Sequence, residues 1–320
     1  DLQFARLVAR RTWRFFEHFV GAEDNWLPPD NYQEDPKPVV AHRTSPTNIG
    51  MLLLSTVAAH DFGYLGTSEF VQRQESTFAT LQKLTKLRGH FFNWYDTRTL
   101  QPLTPQYIST VDSGNLAGHL VALKQTFIEL PDLKLCDERI LRGLCDTLAA
   151  VSFEAERIGG SQQRTEIVTT RQLREEIAAC QQLLTGPASE SLAFWVSLFE
   201  SLKRHTAVIE DIVDALAQEH GLETYEELRW WARALARQVR SFESDMRRFT
   251  PWALTSSEWH LPPETLPESS QGLQQYQCQR CSPDGTALVF ESLLGGTQAL
   301  YWIRSDGGSE PLRLTHDNIR

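Results

Sequence analysis

A mainly α architecture is predicted for this chain: part of a toroid of paired helices, then helical hairpins, then a short C-terminal antiparallel β segment. Three observations predict it. Apolar residues recur at helical spacing through most of the first 250 or so positions, every second connection between the early helices is long, and a period-two alternation appears only after about residue 276.

The elements follow in order. Leu2, Phe4, Leu7, Val8, Trp13, Phe15, Phe16 and Phe19 give residues 2–20 an aromatic-rich helical face, closed by Gly21. Asn25 to Pro46 is irregular and holds five prolines. Thr47 offers a side-chain oxygen to cap a second helix through Phe62, buried on Ile49, Leu52, Leu53, Thr56 and Val57 and ended by Gly63. A third helix runs from Ser68 to about Leu87 on Phe70, Phe78, Leu81 and Leu84, and a fourth from Asn115 to about Glu129. This order gathers the long loops at one end of the helices, and function with them.

From Leu133 to about Phe249 the sequence is charged and helix-forming: Arg139–Arg157, Thr170–Leu184, Glu190–His220 and Thr224–Phe249. Breaks at Gly159-Gly160 and Gly186-Pro187 predict three or four helices in antiparallel hairpins instead of one coiled coil. Trp230, Trp231 and the neighbouring arginines read as packing with a solvated face, or as a partner surface. Residues 251–275, rich in Pro, Ser and Glu, read as a linker. Beyond it, Ser282–Phe290, Gln298–Gly308 and Leu312–Thr315 read as strands broken by Asp-Gly and Gly-Gly turns. The implied domains are 1–130, 131–250, the linker 251–275, and 276–320.

Composition narrows the function classes. A formal charge of −10 argues against a broad nucleic-acid footprint, so no nucleic-acid partner is expected. No apolar run reaches the roughly 20 residues that span a bilayer, so this chain is expected not to insert in a membrane, and a cytoplasmic location is expected. Five cysteines, an odd number, fit a reducing compartment. Cys278-Gln-Arg-Cys281 has the spacing of half a zinc site but no second pair follows it, so neither a metal nor any other cofactor is expected. A Gly-x-Ser-x-Gly elbow, a P-loop and a Rossmann fingerprint are all lacking.

The chemistry lies in two polar-aromatic blocks, Glu23–Gly50 and Gly89–His119. A sugar presents C–H bonds on its ring faces and hydroxyls at its edge, so its binders need flat aromatic surfaces and planar bidentate groups. Trp26, Tyr32, Phe92, Trp94 and Tyr95 can supply the surfaces. Asn25, Asp30, Asn31, Arg43, Asn48, Asn93, Asp96, Asp112, Asn115 and His119 can supply the hydroxyl contacts. The alternative stays open residue by residue: Trp94 and Tyr95 as core, Asp30, Thr47 and Asp112 as caps of helices and turns. Glycoside chemistry usually needs two carboxylates. Asp96 and Asp112 are the best pair in the blocks, but no signature marks either as acid or nucleophile, so the catalytic residues are unassigned.

The segments Glu23-Asp-Asn-Trp-Leu-Pro-Pro-Asp-Asn31, His42-Arg-Thr-Ser-Pro-Thr-Asn-Ile-Gly50, Phe92-Asn-Trp-Tyr-Asp-Thr97 and Ser109-Thr-Val-Asp-Ser-Gly-Asn-Leu-Ala-Gly-His119 resemble, in wording and order, the central region of the cyclic β-1,2-glucan synthases. The resemblance covers about residues 1–130 strongly and extends to about 255 more loosely. It implies the N-terminal half of a glycoamylase-like (α/α)6 barrel that closes linear β-1,2-glucan into rings by transglycosylation, within a full-length protein anchored in the bacterial inner membrane. It implies Arg43, Asn48, Trp94, Asp96, Asp112 and Asn115 as lining of the glucan cleft, β-1,2-glucan as ligand, and the remainder of a synthase as a partner. After Pro251 the remaining barrel helices, with the family's catalytic glutamates, are replaced by a tail that resembles one repeat of a TolB-type β-propeller. The implied reading is a truncated, catalytically incomplete glucan-handling fragment; a noncatalytic glucan-binding module and a helical interaction scaffold are the alternatives.

Overall fold

Helix α1 spans Leu2–Phe19, α2 Pro46–Asp61, α3 Thr67–Lys83, α4 Thr110–Glu129, α5 Glu138–Ile158, α6 Arg164–Leu184, α7 Leu192–His220 and α8 Leu222–Phe249. The computed structural model describes residues 2–158 and 164–250, together with the backbone of four C-terminal strands. Six two-residue strands lie in the loops: β1 Tyr32–Gln33, β2 Val39–Val40, β3 Arg43–Thr44, β4 Lys86–Leu87, β5 His90–Phe91 and β6 Tyr95–Asp96. The protein is mainly α, as its periodicity predicts. It divides into two compact units, Asp1–Ser256 and Ser257–Arg320.

In the second unit β7 (Gln277–Cys281), β8 (Ala287–Ser292), β9 (Ala299–Arg304) and β10 (Leu312–Arg313) form an antiparallel meander in sequence order. The β8–β9 ladder runs unbroken from Ala287↔Arg304 to Ser292↔Ala299, while the register shifts between Cys278 and Arg280 on β7. The Gly159-Gly160 break, the 251–275 linker and the Asp-Gly and Gly-Gly turns lie outside the described residues.

Local chemistry corrects three boundaries. The cap of α2 is Ser45, whose hydroxyl accepts from the Asn48 amide at 3.2 Å; Pro46, which has no amide hydrogen to lose, takes the first helical position and leaves Thr47 inside the helix. Helix α4 likewise starts five residues before Asn115, because Ser109 accepts from the Asp112 amide at 3.2 Å. Helix α3 stops at Lys83, not Leu87, because Lys86–Leu87 pairs with His90–Phe91 around Arg88 and Gly89, both at positive φ (51° and 86°).

Helices α2 and α4 pack side by side. Thr47 on α2 meets Asp112 and Asn115 on α4, and one turn later buried Gly50 lies against His119, so the two helices run parallel with their amino ends together. A Cβ on Gly50 would collide with the His119 ring, so glycine permits the close approach. Trp13, Leu27, Ile49, Leu53, Phe70, Tyr95, Leu116 and Leu123 anchor this part of the core. On its other side α4 leaves Val111, Val121 and Ile128 exposed by 70%, 72% and 57%.

Helices α5 to α8 form an antiparallel four-helix arrangement, α5 touching both α6 and α8 and α7 touching both α6 and α8. Its core contains Leu144, Leu148, Val151, Trp195, Phe199, Leu202, Ile209, Leu228, Trp231 and Val239. A single residue, Gly221 at φ 105°, reverses the chain between α7 and α8, a conformation that costs glycine little.

A buried polar chain joins the two helical parts. Arg10, 1% exposed, pairs with Glu17 at 3.0 Å and donates to Thr147 at 2.7 Å. Thr147 donates to the Gln238 carbonyl at 2.6 Å, and the Gln238 amide donates to the Gly63 carbonyl at 2.6 Å. The Arg10 guanidinium also lies over Tyr64, Trp230 and Trp231, at 5.3, 5.8 and 5.1 Å from their ring centres. Trp230 and Trp231 thus pack against α1, with Arg14 and Arg237 completing the stack on Trp230.

Candidate functional site

The two blocks are neighbours in space. Strand β3 of the first pairs with β6 of the second, Arg43 opposite Asp96 and Thr44 opposite Tyr95, and β3 runs through Ser45 into the amino end of α2. A second tie lies beside it. Buried Asp24 accepts from Thr97 and from Nδ1 of His42 (2.8 Å), and Nε2 of His42 lies 2.8 Å from the Arg98 guanidinium. Guanidinium only donates, so Nε2 accepts and the ring hydrogen sits on Nδ1.

On this support two carboxylates face the amino end of α2. Asp30 receives both Nε (3.1 Å) and a terminal nitrogen (2.8 Å) of Arg43 on one oxygen, and the Asn48 amide on the other at 3.2 Å. The Arg43 guanidinium lies 4.9 Å from the centre of the Trp94 ring, so arginine covers one face of that indole. Asp112 accepts from the Thr47 hydroxyl at 2.6 Å, and that hydroxyl accepts from Asn115 at 3.1 Å. Asn93 reaches the other Asp112 oxygen at 2.9 Å when its amide oxygen faces Tyr107 and Trp94.

Asp30, Arg43, Asn48, Asn93, Trp94, Asp112 and Asn115 therefore form one polar cluster, with His119 on its α4 side. Asn31 donates to Asp30 at its edge, while Tyr32 packs on Phe19 and Phe92 is buried against Tyr95. Four more residues singled out from the sequence stand elsewhere. The fully buried Tyr95 hydroxyl donates to the Thr85 carbonyl and accepts from the Phe92 amide, both at 2.7 Å, which makes it a core anchor. Asp96 accepts from the Thr99 amide at 2.7 Å and the Arg98 amide at 3.0 Å; these bonds, Thr99 first, hold its carboxyl below the usual carboxylate range and fix a turn. Asn25, left-handed at φ 53°, donates to the Thr97 and Arg98 carbonyls at 2.8 and 3.0 Å. Trp26 turns toward Arg73 and lines a cleft of about 460 Å³ with Trp13, Glu17, Tyr64 and Arg237, a lining that shares nothing with the Asp30–Asp112 cluster.

The sequence argument missed Tyr107, Asp24 and Arg98, and took Thr47 only as a cap. Tyr107 lies between the quoted motifs, so nothing in residue type singled it out. Asp24 and His42 stood inside the motifs, but only the fold shows them paired. Among the described residues no group of three His, Cys, Asp or Glu side chains is placed to hold a metal ion, and no helix is long and apolar enough to cross a membrane.

No protein-family model matches the chain. A cyclic β-(1,2)-glucan synthase, NdvB of Rhizobium meliloti (strain 1021), is 47% identical to it over 188 residues, 58% of this chain and 6% of that protein. Over that stretch the chain is similar to a cyclic β-1,2-glucan synthase. The chain thus spans a small fraction of the length of the curated relative it matches.

Proposed function

We propose that this chain is a glucan-handling segment of the cyclic β-1,2-glucan synthase type, and that the cluster at the amino ends of α2 and α4 holds a β-1,2-glucan. One observation carries the reading: in a chain 47% identical over 188 residues to such a synthase, two carboxylates, three amides, an arginine and an indole converge where two long loops meet. These are the groups that recognise vicinal hydroxyls and a pyranose face.

The same geometry favours binding over proton transfer. Asp30 and Asp112 each accept hydrogen bonds on both oxygens, and Asp96 is committed to its turn. A general acid needs a carboxyl set to release a proton to a leaving oxygen, and a nucleophile needs a free oxygen aimed at the sugar. In this reading the groups that make and break glycosidic bonds come from other parts of a synthase, the natural partner of this chain.

Calorimetric titration of the full chain with linear β-1,2-glucan oligosaccharides tests the proposal. Saturable binding is expected, weakened about tenfold in Trp94→Ala, the equivalent of about 1.4 kcal/mol. Absence of binding at millimolar glucan, or equal binding by Trp94→Ala, overturns it. Conversion of linear to cyclic glucan by the isolated chain would overturn the noncatalytic part alone.

A further inference from the structure

We propose that Thr47 and Asn93 are positioning residues that act through Asp112, fixing its carboxylate as an acceptor for glucan hydroxyls; this rests on the glucan-binding reading above. The argument is one of hydrogen-bond direction. The Trp94 indole nitrogen can only donate, so the Asn93 atom 3.0 Å away must be the amide oxygen. That oxygen also accepts from the Tyr107 hydroxyl at 2.8 Å, and the amide nitrogen is thereby turned onto Asp112 at 2.9 Å. On the opposite side Asn115 donates to Thr47 at 3.1 Å and Thr47 donates to Asp112 at 2.6 Å.

Every hydrogen in the network therefore points toward Asp112. The donors come from two separate elements, Thr47 on α2 and Asn93 in the loop before β6, while the Asp112 backbone amide, donating to Ser109, holds the turn of α4 that carries the carboxylate. Asn93 is only 6% exposed, so its amide has no water to turn to, whereas Tyr107 is 46% exposed and its ring lies open beside the site. The Thr47 hydrogen is committed to Asp112, and the Asn93 oxygen already accepts from both Tyr107 and Trp94. What remains for a ligand is the spare lone-pair capacity of a carboxylate whose rotamer is fixed from both sides, which suits a hydroxyl donor on an uncharged sugar and repels a ligand carboxylate or phosphate.

A purely structural role would be to staple α2 to α4, and the test separates the two roles. The full chain and its Thr47→Val, Thr47→Ser, Asp112→Asn and Thr47→Val/Asp112→Asn variants are titrated with a linear β-1,2-glucan oligosaccharide, each after thermal unfolding has shown it folded. Thr47→Val keeps the shape and loses the hydroxyl, so binding should fall about fivefold, the equivalent of one hydrogen bond. Thr47→Ser should restore it, and the double variant should bind no more weakly than Asp112→Asn alone. Multiplying losses in the double variant, an unchanged Thr47→Val, or a Thr47→Ser as weak as Thr47→Val would overturn the inference while leaving the glucan reading standing. Failure of the unaltered chain to bind glucan would overturn both.

Discussion

Helices α1–α4 and α5–α8 solve the burial problem differently. In α5–α8 the four helices cover one another, and α5 and α8 keep apolar and charged faces apart, so one apolar core is enclosed. In α1–α4 the first and third connections are loops of about 26 residues, and α2 and α4 carry apolar residues on more than one face. Apolar residues on a second face of a helix call for a second neighbour. Helix α4 finds α2 on one side and presents Val111, Val121 and Ile128 to solvent on the other. The bundle is organised for its own stability; α1–α4 gives up some enclosure and gains a place where loops meet.

The two parts are also joined, and the joint is where the contrast is most easily broken. Burial pushes the Glu17 carboxyl up, but Arg10 and Arg237 outweigh it and hold the group below its ordinary 4.5. Glu17→Gln would leave Arg10 buried without its counter-charge, at a cost of about 3–5 kcal/mol. If α1–α4 depends on the bundle through this seam, urea unfolding of the variant remains a single transition moved to lower urea; two separate transitions would show independent parts. The sign of the pH effect follows from the depressed value: stability from this pair is complete above about pH 4.5 and drains as pH falls through the lower folded value. The variant should show a flatter acid limb than the parent.

Next in size is Leu144→Ala at the fully buried centre of α5, expected to cost about 3 kcal/mol through lost burial and the cavity left behind, read by the same unfolding curve. The smallest effect sharpens the contrast most. Val121→Ser on the open face of α4 should change stability by no more than about 0.5 kcal/mol, since the side chain is 72% exposed. A loss of 2 kcal/mol there would mean that the face is covered in solution.

Legibility in the sequence followed the same division. Strong 3.6-residue periodicity placed α5, α7 and α8 to within two residues at most ends, because propensity, pattern and packing agree there. The loop region was legible as composition and not as geometry. Asn25, Tyr95 and Asp96 look like sugar contacts by residue type, yet they hold the loops in shape. The sequence shows which groups lie close along the chain, but a two-residue ladder such as Arg43–Thr44 with Tyr95–Asp96 has no period to detect. The side on which each residue falls is set by pairings across more than 50 positions, such as His42 with Arg98.

The parallel course of α2 and α4 has an electrostatic consequence. Each helix carries roughly half a positive charge at its amino end, and here both positive ends arrive at one place on a chain of formal charge −10. Asp30, bonded to the first turn of α2, and Asp112, within the first turn of α4, lie where those dipoles compensate them. The local field is thereby largely spent on the protein's own carboxylates, and in the proposed glucan-binding role a ligand would be sorted by the number and direction of its hydroxyls instead of by its charge.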